Sequence, residues 1–465
     1  YALELSGVPD GNKTLARWGN RLSTVQINTD ATGGQGYIYP GISLTSFDVI
    51  GLSLTTMSSD IPYARSTQTQ RAADQYSPAF DWERNSFSSA PGAAVIRDDR
   101  FLQTGRSSLQ TITNKGSASI IGWAPNPYPF NSYLVGGRED PSALLGGHFV
   151  AGQAVQLRAE QNPNDASLQY TRVRQLEKLA VAGLDIGLLR SEGVLPEFNL
   201  DVLDGRQYNL VSFATRFSAT QEPIVASTTL RRWQANGSSI TERMDGALGR
   251  LTLIRRGDGV VTSPTPSTGG ETLTVQPEPS FIWSNSQYIA RHVGRLKLTR
   301  DLSGKNQLGA ATPSGDLLAF TLDNSDEGQG MLLGVARANS APSFSSARYQ
   351  LQGLSLGMTD DANILRQYND SRLVLNGSSA QLTLKRIAVN HSLAAGTVSD
   401  PQDSSFDAVL GGTLNVDAAE HLVRATITVD GSPLALEGFA SADQSFIVFR
   451  LQHGPHLGLI LALRD

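Results

Sequence analysis

The chain has 465 residues, and its 38 lysine and arginine residues are outnumbered by 43 aspartate and glutamate residues, which gives a net charge of −5 at pH 7. This acidic balance argues against a nucleic-acid partner, because phosphate binding requires a concentrated basic face. Cysteine is absent, which excludes disulfides, thiol catalysis, zinc–thiolate sites and iron–sulfur clusters. No apolar run approaches the roughly 18 residues of a membrane helix, so no membrane span is predicted.

Composition and local pattern both predict an all-β protein. Glycine is abundant, with 45 residues, and charged residues make up only 17% of the chain, a balance that favours turn-rich β structure over helices. The length suggests about three domains. We predict tandem antiparallel β-sandwich or small β-barrel modules with an internal duplication.

The first part of the chain, 1-131, is predicted to be an irregular N-terminal β-rich domain. Tyr1–Ser6 already alternates like a strand, which is typical of a chain from which a signal peptide has been removed. A second strand is predicted at Ile42–Leu54 from its β-branched and apolar residues. We therefore expect an extracytoplasmic protein, whether periplasmic, displayed on the cell surface or secreted.

The densest aromatic cluster follows at Trp123, Tyr128, Phe130 and Tyr133, in a segment that three prolines stiffen. Aromatic rings on such a loop could stack on sugars or form a protein-binding hot spot. The competing interpretation is a loop that fills a core between domains. The cluster is our best sequence-based indication of a binding surface.

A sequence pattern that occurs twice predicts the duplication. The pattern G-x-L-x-x-F-x-L-D-x-x-D is found at Gly193–Asp204 and again at Gly315–Asp326, and downstream Asn236–Ser239 matches Asn376–Ser379 as N-G-S-S. A repeat of about a hundred residues indicates two copies of one supersecondary module. We assign copy one of this β module to 132-256 and copy two to 281-387.

Within copy one, Val173–Ala182 has helical propensity, but its counterpart Asp301–Ala310 contains glycine, serine and asparagine and could hardly form a helix. A loop or strand extension is therefore predicted there. Between the copies, 257-280 is rich in proline, serine and threonine. Proline removes donors from a β ladder and stiffens the chain, so this segment is predicted to be a linker.

Paired aspartates recur at matched positions of the pattern, Asp201 and Asp204 in the first copy and Asp323 and Asp326 in the second. Two carboxylates three residues apart could share a calcium ion, which prefers oxygen-rich loops. Turn formation is the competing and favoured interpretation, because Asp side chains bond their own backbone in turns. A pair acting as general acid and base is a third alternative.

Gly353–Gly357 matches G-x-S-x-G, the nucleophile-elbow pattern of α/β-hydrolases. That chemistry needs Ser355 on a strained turn between a strand and a helix, whereas the surrounding sequence alternates like a strand. Ser355 is therefore predicted to lie inside a strand. The pair His453 and His456 could contribute to a metal site, but Gly and Pro lie between them and favour a turn.

The last segment, 388-465, is predicted to form hairpins that complete or extend copy two. Alternation over Leu422–Val429 is followed by the turn dipeptide Asp430-Gly431 and a second alternating run, which is a hairpin signal. No motif in the chain is specific enough to indicate a family.

The absence of a catalytic constellation in the sequence favours a non-enzymatic, exported structural or binding protein, such as a cell-surface, filament or envelope-complex component, including an adhesin. Protein partners or self-assembly are expected, and a glycan ligand is compatible with the aromatic cluster. No cofactor is predicted apart from the calcium alternative. A polysaccharide hydrolase or lyase with carboxylates from separate strands remains an alternative, as does a carrier with a barrel cavity.

Overall fold

The protein is described by a computed structural model. It covers the backbone of residues 2–7, 14–19, 23–28, 36–42, 95–97, 100–103, 109–114, 117–123, 131–136, 143–162, 165–188, 198–217, 223–256, 259–265, 270–284, 287–292, 294–300, 306–324, 328–394, 397–399, 402–406 and 408–464. Side chains are described for Leu184 and for most of the covered residues from Phe198 onward.

The N-terminal strands form one antiparallel sheet. They are β1 (Ala2–Gly7), β2 (Thr14–Gly19), β3 (Ser23–Asn28), β4 (Gly36–Ile42), β5 (Val95–Arg97), β6 (Arg100–Gln103), β7 (Leu109–Asn114), β8 (Ser117–Trp123), β9 (Asn131–Gly136), β10 (Ala143–Asn162) and β11 (Asp165–Leu188). Val173–Ala182 lies inside β11, which confirms the predicted strand extension. The strand predicted at Ile42–Leu54 lies outside the described residues except for Ile42.

The next group of strands contains the first closed barrel, preceded by a 3-10 turn at Leu200–Leu203. Its strands are β12 (Gln207–Phe217), β13 (Pro223–Asn236), β14 (Ser239–Arg243), β15 (Gly249–Arg256), β16 (Gly259–Thr265), β17 (Glu271–Pro277), β18 (Ser280–Ser284), β19 (Gln287–Arg291), β20 (Arg295–Arg300), β21 (Asn306–Ala311), β22 (Leu317–Asn324) and β23 (Gly328–Ala336). The pairing runs β12–β13–β14–β17–β20–β21–β22–β23, and β23 pairs with β12 again. This is an eight-stranded antiparallel barrel in which neighbouring strands follow one another along the chain.

The second barrel repeats this arrangement. Its strands are β24 (Ala347–Met358), β25 (Ala362–Asn376), β26 (Ser379–Thr383), β27 (Arg386–Ser392), β28 (Thr397–Val398), β29 (Gln402–Asp403), β30 (Leu410–Asp417), β31 (Leu422–Val429), β32 (Ser432–Ala440), β33 (Phe446–His453) and β34 (His456–Arg464). The ring is β24–β25–β26–β30–β31–β32–β33–β34, closed by pairing of β34 with β24. The predicted all-β fold with tandem duplicated modules is confirmed, and the modules are barrels.

In each barrel the second strand is shared between the barrel wall and a hairpin beside it. The C-terminal part of β13 pairs with β14 inside the barrel, and its N-terminal part pairs with β15 of the β15–β16 hairpin. The second barrel does the same with β25, β26 and β27. The duplication therefore includes this side hairpin.

The structural equivalence between the copies differs from the predicted one. The N-G-S-S match is confirmed, since both segments turn the second strand into the third, and Gly237 and Gly377 have φ of 58° in both turns. The longer pattern, in contrast, does not align the copies: Gly193–Asp204 ends in the 3-10 turn before β12, and Gly315–Asp326 includes β22 of the same barrel. A glycine turn followed by alternating Leu and Phe suits many β hairpins, so the pattern is not specific to one position in the fold.

The closed barrels occupy 207–336 and 347–464, and the limits predicted for the domains stay a prediction. The segment predicted as a linker contains strands β16 and β17, and β17 belongs to the barrel wall. Its prolines are tolerated because Pro264 lies on β16, which pairs only with β15, and Pro277 is the last residue of β17.

A tyrosine in the first strand fastens one end of each barrel. The hydroxyl of Tyr208 donates to the carbonyl oxygen of Gly315 at 2.8 Å, and the hydroxyl of Tyr349 donates to that of Gln444 at 2.9 Å. Both acceptors lie in the turn between the sixth and seventh barrel strands, and both have a positive φ, 71° and 58°. Burial raises the pKa of both tyrosines, so each hydroxyl remains a donor at neutral pH.

Glycines at matched positions allow close strand contacts. A Cβ on Gly330 would lie 1.9 Å from the carbonyl oxygen of Phe213, and one on Gly458, its counterpart in the second barrel, 2.2 Å from that of Leu354. Only glycine fits where one backbone approaches another so closely. These glycines allow the wall to bend at the same place in both barrels.

The two barrels pack side by side through β12, β13 and β23 of the first and β32, β33 and β34 of the second. Residues on both faces of these strands are buried, as in Phe446–Leu451 and Leu457–Leu463. One face fills the barrel and the other the interface. Within the described part of the chain, no helix is long and apolar enough to cross a membrane.

Candidate functional site

Side chains fill the interior of both barrels. The first barrel encloses Trp233 and Phe320, whose rings meet edge to face with centroids 5.5 Å apart, together with the leucines around them. The second encloses Phe449, Tyr349 and the aliphatic residues of β31 to β34. A barrel of eight strands has an interior just wide enough for side chains to fill. Burying a polar group in such a core costs free energy, and two groups of charged side chains in the described part of the chain do so.

The first polar group is an ion network inside the first barrel. Glu242 on β14 accepts from the Arg231 guanidinium at 3.2 Å and from the Trp233 indole at 2.8 Å. Its other oxygen lies 3.4 Å from Nη1 of Arg300, which also contacts Glu271. Arg231 and Glu242 are 1% and 2% exposed, so the pair is shielded from water. We call these four residues the barrel-1 ion network.

Electrostatics keep this network charged. Burial alone would raise the pKa of Glu242, but the charges of Arg231 and Arg300 and the hydrogen bond from Trp233 outweigh it and hold the pKa below its usual range. Two guanidinium groups and two carboxylates balance in charge. Such an arrangement supports a rigid interior and keeps the Glu242 carboxylate ionised.

The second barrel lacks this network. Strand registers place Ser371, Leu382, Leu410 and Ile427 at the positions of Arg231, Glu242, Glu271 and Arg300. Leu382 and Ile427 belong to the apolar core. The copies therefore share a backbone and differ in the chemistry of the interior.

The second polar group lies on the inward face at one end of the second barrel. Oγ of Ser355 lies 3.1 Å from the hydroxyl oxygen of Tyr368, and Nη1 of Arg366 lies 3.2 Å from Nδ1 of His453. The rings of His453 and His456 stack with centroids 6.4 Å apart. On the adjacent strand, Arg386 pairs in register with Tyr368. We call Arg366, Arg386, His453 and His456 the Arg–His cluster.

Hydrogen bonding determines the tautomer of His453. A guanidinium only donates, so Nδ1 of His453 must accept from Arg366. Nε2 then carries the proton and donates to the carbonyl oxygen of Val429 at 3.2 Å. Both ring nitrogens are therefore occupied, and His453 is neutral. Burial, together with Arg366 and Arg386, lowers its pKa in spite of the bond to Val429.

The neighbouring His456 is held flat against the backbone. A Cβ on Gly357 would lie 2.2 Å from Cε1 of His456, so the ring occupies the space that any other residue at position 357 would need. Burial, with the charge of Arg366 next, lowers the pKa of His456 well below its usual value. This histidine is also neutral at physiological pH.

Arginine side chains of both barrels connect the two barrels. Arg232 and Arg337 donate to the carbonyl oxygens of Glu420 and Ala419 at 3.1 and 2.7 Å. Arg255 donates to the carbonyl oxygen of Thr359 at 2.6 Å, and Arg450 donates in the reverse direction to that of Gly249 at 3.0 Å. Most of these acceptors are backbone groups.

His391 lies beside one of these connections. Arg255 donates to Oδ1 of Asn363 at 2.7 Å, and Nδ2 of Asn363 lies 3.3 Å from Nδ1 of His391. The His391 ring is fully buried. Burial and the charge of Arg255 lower its pKa from 6.5 to about 4.

We expect the protein to lose stability as the pH falls from about 6.5 towards 4. The pKa of His391 is lower in the folded protein than in the unfolded chain. In this pH window the unfolded chain therefore binds more protons, and proton binding stabilises it relative to the folded protein. The shift corresponds to roughly 3 kcal/mol for His391 alone. Denaturant unfolding from pH 7.5 to 4.5 measures the free energy of unfolding at each pH. The dependence of this free energy on pH should be weaker in His391→Gln.

His421 provides the matched control, because it is less buried than His391 and lies in a surface turn. We expect His421→Asn to change the pH dependence much less. Equal slopes in wild type and His391→Gln would contradict the assignment.

The predicted aromatic binding residues fall in the N-terminal part. Trp123 is the last residue of β8 and Tyr133 lies in β9, and both strands pair with β10. Tyr128 and Phe130 lie outside the described residues, as do the side chains of Trp123 and Tyr133. The aromatic surface stays a prediction.

Of the predicted calcium residues, Asp201, Asp204 and the backbone of Asp323 are described. Asp201 and Asp204 are at the 3-10 turn, where Asp204 accepts from the backbone N–H of Gly237 at 2.6 Å and Asp201 from the side-chain amide of Asn199 at 3.0 Å. Asp323 lies on β22 with its side chain outside the description, and Asp326 lies outside the described residues. Among the described residues, no three His, Asp or Glu side chains form a group suited to a metal ion. Calcium binding at these aspartates stays a prediction.

Ser355 lies inside strand β24, fully buried, as predicted. Its hydroxyl contacts Tyr368. The geometry of a nucleophile elbow, which needs a turn from a strand into a helix, is not present at this position.

Sequence reasoning missed the barrel-1 ion network and most of the Arg–His cluster. The signal was available in part: Leu296, Leu298 and Arg300 alternate inward on β20, and a charged residue at an inward position of an apolar strand needs a partner. Which partner it has depends on strand pairing that the sequence does not reveal.

The fold and these interiors define the chain as a protein with two tandem up-and-down β-barrels. No protein-family model and no curated protein matches the chain. Among solved structures it is similar to a crystal structure of a double mutant of the vaccine antigen Transferrin Binding Protein B from Haemophilus parasuis Hp5, with 9% identity, 68% of this chain and 86% of that chain covered, and a TM-score of 0.21. A TM-score this low does not establish a shared fold.

Proposed function

We propose that the protein is a non-enzymatic, exported binding or structural protein of the cell surface or envelope. The observation that carries this proposal is that both barrels are filled by their own side chains. A barrel without an open interior supports a ligand on its outer surface, its loops or the adjoining N-terminal strands. Rigid scaffolds commonly present binding residues in this way.

The filled interiors weigh against a carrier of small ligands. Carriers with eight strands hold the ligand in the barrel, whereas Trp233, Phe320 and Tyr208 occupy that space in the first barrel, and Phe449 and Tyr349 do so in the second. Large aromatic rings pack there against leucines from opposite strands. A ligand would have to displace this core.

The carboxylates in the described part of the chain weigh against a glycoside hydrolase. Such an enzyme needs one carboxyl group whose pKa is raised so that it can protonate the leaving group. Glu242, Asp403 and Asp443 have lowered pKa values, because arginines or hydroxyl and backbone donors stabilise the anion. Glu437 is paired with Arg424 and Arg450.

Protein partners or self-assembly fit this role best, with the aromatic residues Trp123, Tyr128, Phe130 and Tyr133 as the proposed contact surface and a glycan as the alternative ligand. Aromatic side chains dominate the binding energy of protein interfaces. The paired aspartates remain a proposal for calcium in the same protein.

The test combines a turnover assay with a measurement of assembly. Purified protein is incubated with a panel of polysaccharides and the release of reducing ends is followed, while light scattering coupled to chromatography records the molar mass across a concentration series with and without calcium. We expect no product, and either self-association or capture of a glycan on an array that Tyr128→Ala and Phe130→Ala reduce.

Product formation would overturn the proposal in favour of the polysaccharide-active alternative. A monodisperse monomer with no glycan signal and no cell-surface exposure, tested by protease shaving of intact cells, would also contradict it. Gln276→Ala, at an exposed position on β17, serves as the control for the aromatic variants.

A further inference from the structure

The Arg–His cluster carries more positive charge than its surroundings neutralise. Arg386 is paired with Asp430 at 2.8 Å, whereas the contacts of Arg366 with described residues are with the neutral His453 and the neighbouring Tyr368. Within the described residues at this end of the barrel, two guanidinium groups therefore face one carboxylate. Arg366 is half-buried, and a cation withdrawn from water without a paired counter-charge is costly.

Several donors of the cluster also lack a partner. Nε of Arg366, Nη1 of Arg386 and Nδ1 of His456 are buried and form no hydrogen bond within the described part of the chain. Arg386 and His456 are only 4% and 2% exposed. Buried polar groups are satisfied in the large majority of native structures, so three such atoms in one cluster need an explanation.

Strand pairing brings these groups to one place. Arg366 and Tyr368 lie two residues apart on the inward face of β25, and Tyr368 pairs with Arg386. Ser355 pairs with Arg366 from the other side, and Gly357 pairs with His456. Donors from β24, β25, β27 and the β33–β34 turn thus converge on the end of the barrel interior.

Part of the cluster is specific to the second barrel. Ala214, Ser227 and Thr229 of the first barrel occupy the places of Ser355, Arg366 and Tyr368, whereas Arg250 occupies the place of Arg386. The fold itself therefore does not require a guanidinium at the position of Arg366.

We propose that the Arg–His cluster binds a small oxyanion, such as inorganic phosphate or sulfate. A guanidinium fork matches two oxygens of such an anion, and hydroxyl and imidazole N–H groups complete its shell. This site is separate from the proposed outer binding surface, and the test of one proposal does not depend on the result for the other.

The test is calorimetric titration and thermal unfolding of the full chain with sodium phosphate and sodium sulfate, against sodium chloride at matched ionic strength. A bound anion raises the unfolding temperature as its concentration exceeds the dissociation constant, whereas chloride should not. We expect Arg366→Gln to weaken phosphate binding at least about tenfold, which equals 1.4 kcal/mol, and Arg366→Lys to retain part of it.

Arg372 provides the matched control, because it is an exposed arginine on the same strand. Arg372→Gln should bind phosphate like the wild type. If phosphate, sulfate and chloride act alike, or if Arg366→Gln and Arg372→Gln respond equally, the proposal is overturned and only an ionic-strength effect remains.

A free anion and an anionic group on a larger ligand would use the same donors. Competition by acetate and by a phosphorylated sugar distinguishes them, since a site for free phosphate or sulfate favours the small ion. Should Arg366→Gln fail to fold, the Nε–H resonance of Arg366 in the wild type gives a second readout. It should shift on titration with phosphate, and an unchanged resonance would refute the site.

Discussion

Glu242→Gln should destabilise the first barrel by about 3–5 kcal/mol, the usual cost of removing one partner of a buried ion pair. The substitution keeps the shape of the side chain and removes its charge, so the buried Arg231 loses the carboxylate that Glu242 supplies. Thermal and denaturant unfolding measure the change. If the barrels unfold in separate transitions, the midpoint for the first barrel should fall and the midpoint for the second barrel should stay unchanged.

Asp316→Asn is the matched control. Asp316 forms an exposed ion pair with Arg206, 2.8 Å long, with side chains 56% and 37% exposed. Such pairs contribute about 0–1 kcal/mol. If both substitutions had the same small effect, the interior network would not hold the barrel together.

The duplicated fold offers a second variant. Installing the residues of the second barrel, as Arg231→Ser, Glu242→Leu, Glu271→Leu and Arg300→Ile together, removes all four charges at once. Replacing a buried ion network by apolar residues is often neutral or stabilising. We expect this variant to be more stable than Glu242→Gln alone, and the reverse order would contradict the charge-based explanation.

Gly438→Ala should lower the free energy of unfolding by about 3 kcal/mol, at the upper end of the range for overpacking a core. A Cβ at this position would lie 1.8 Å from the carbonyl oxygen of Val448 on the paired strand, and a backbone group cannot move away without opening the ladder. Gly309 is the equivalent position in the first barrel, where a Cβ would lie 2.2 Å from Cδ1 of Phe320. Denaturant unfolding of Gly438→Ala measures the cost.

Gly411→Ala on β30 is the control, because nothing lies within 4 Å of a Cβ there. Its stability should stay close to that of the wild type. A similar loss in both variants would mean that strand flexibility, and not the close contact, makes glycine necessary.

Local features of the fold could be predicted from the sequence, and closure could not. Alternation and the turn dipeptides Asn376-Gly377 and Asp430-Gly431 mark hairpins correctly, since a hairpin is specified by residues near one another. The choice between sandwich and barrel depends on pairing of β12 with β23 and of β24 with β34, strands that lie far apart in the sequence. No local pattern encodes those contacts.

The candidate sites were harder to predict from the sequence than the fold. The position of Ser355 in a strand followed from alternation, but the contact of Arg366 with His453 joins positions 87 residues apart. The repeated pattern also misaligned the copies, because glycine turns followed by alternating apolar residues occur at more than one place in a barrel. The equivalences that hold, such as Tyr208 with Tyr349, follow from strand pairing.

The arginines between the barrels mostly donate to backbone carbonyl oxygens. The interface therefore depends on the side chain of the donor residue but only on the backbone of the acceptor residue. A carbonyl is present whatever residue occupies the position, so Ala419 and Thr359 supply their acceptors without using a side chain. Substitutions of Ala419 and Thr359 should therefore be tolerated far more readily than substitutions of Arg337 or Arg255. Gly249, the acceptor for Arg450, is the exception, because its φ of 152° favours glycine. Loops that face the neighbouring barrel are thus free to vary in sequence while the two barrels stay joined.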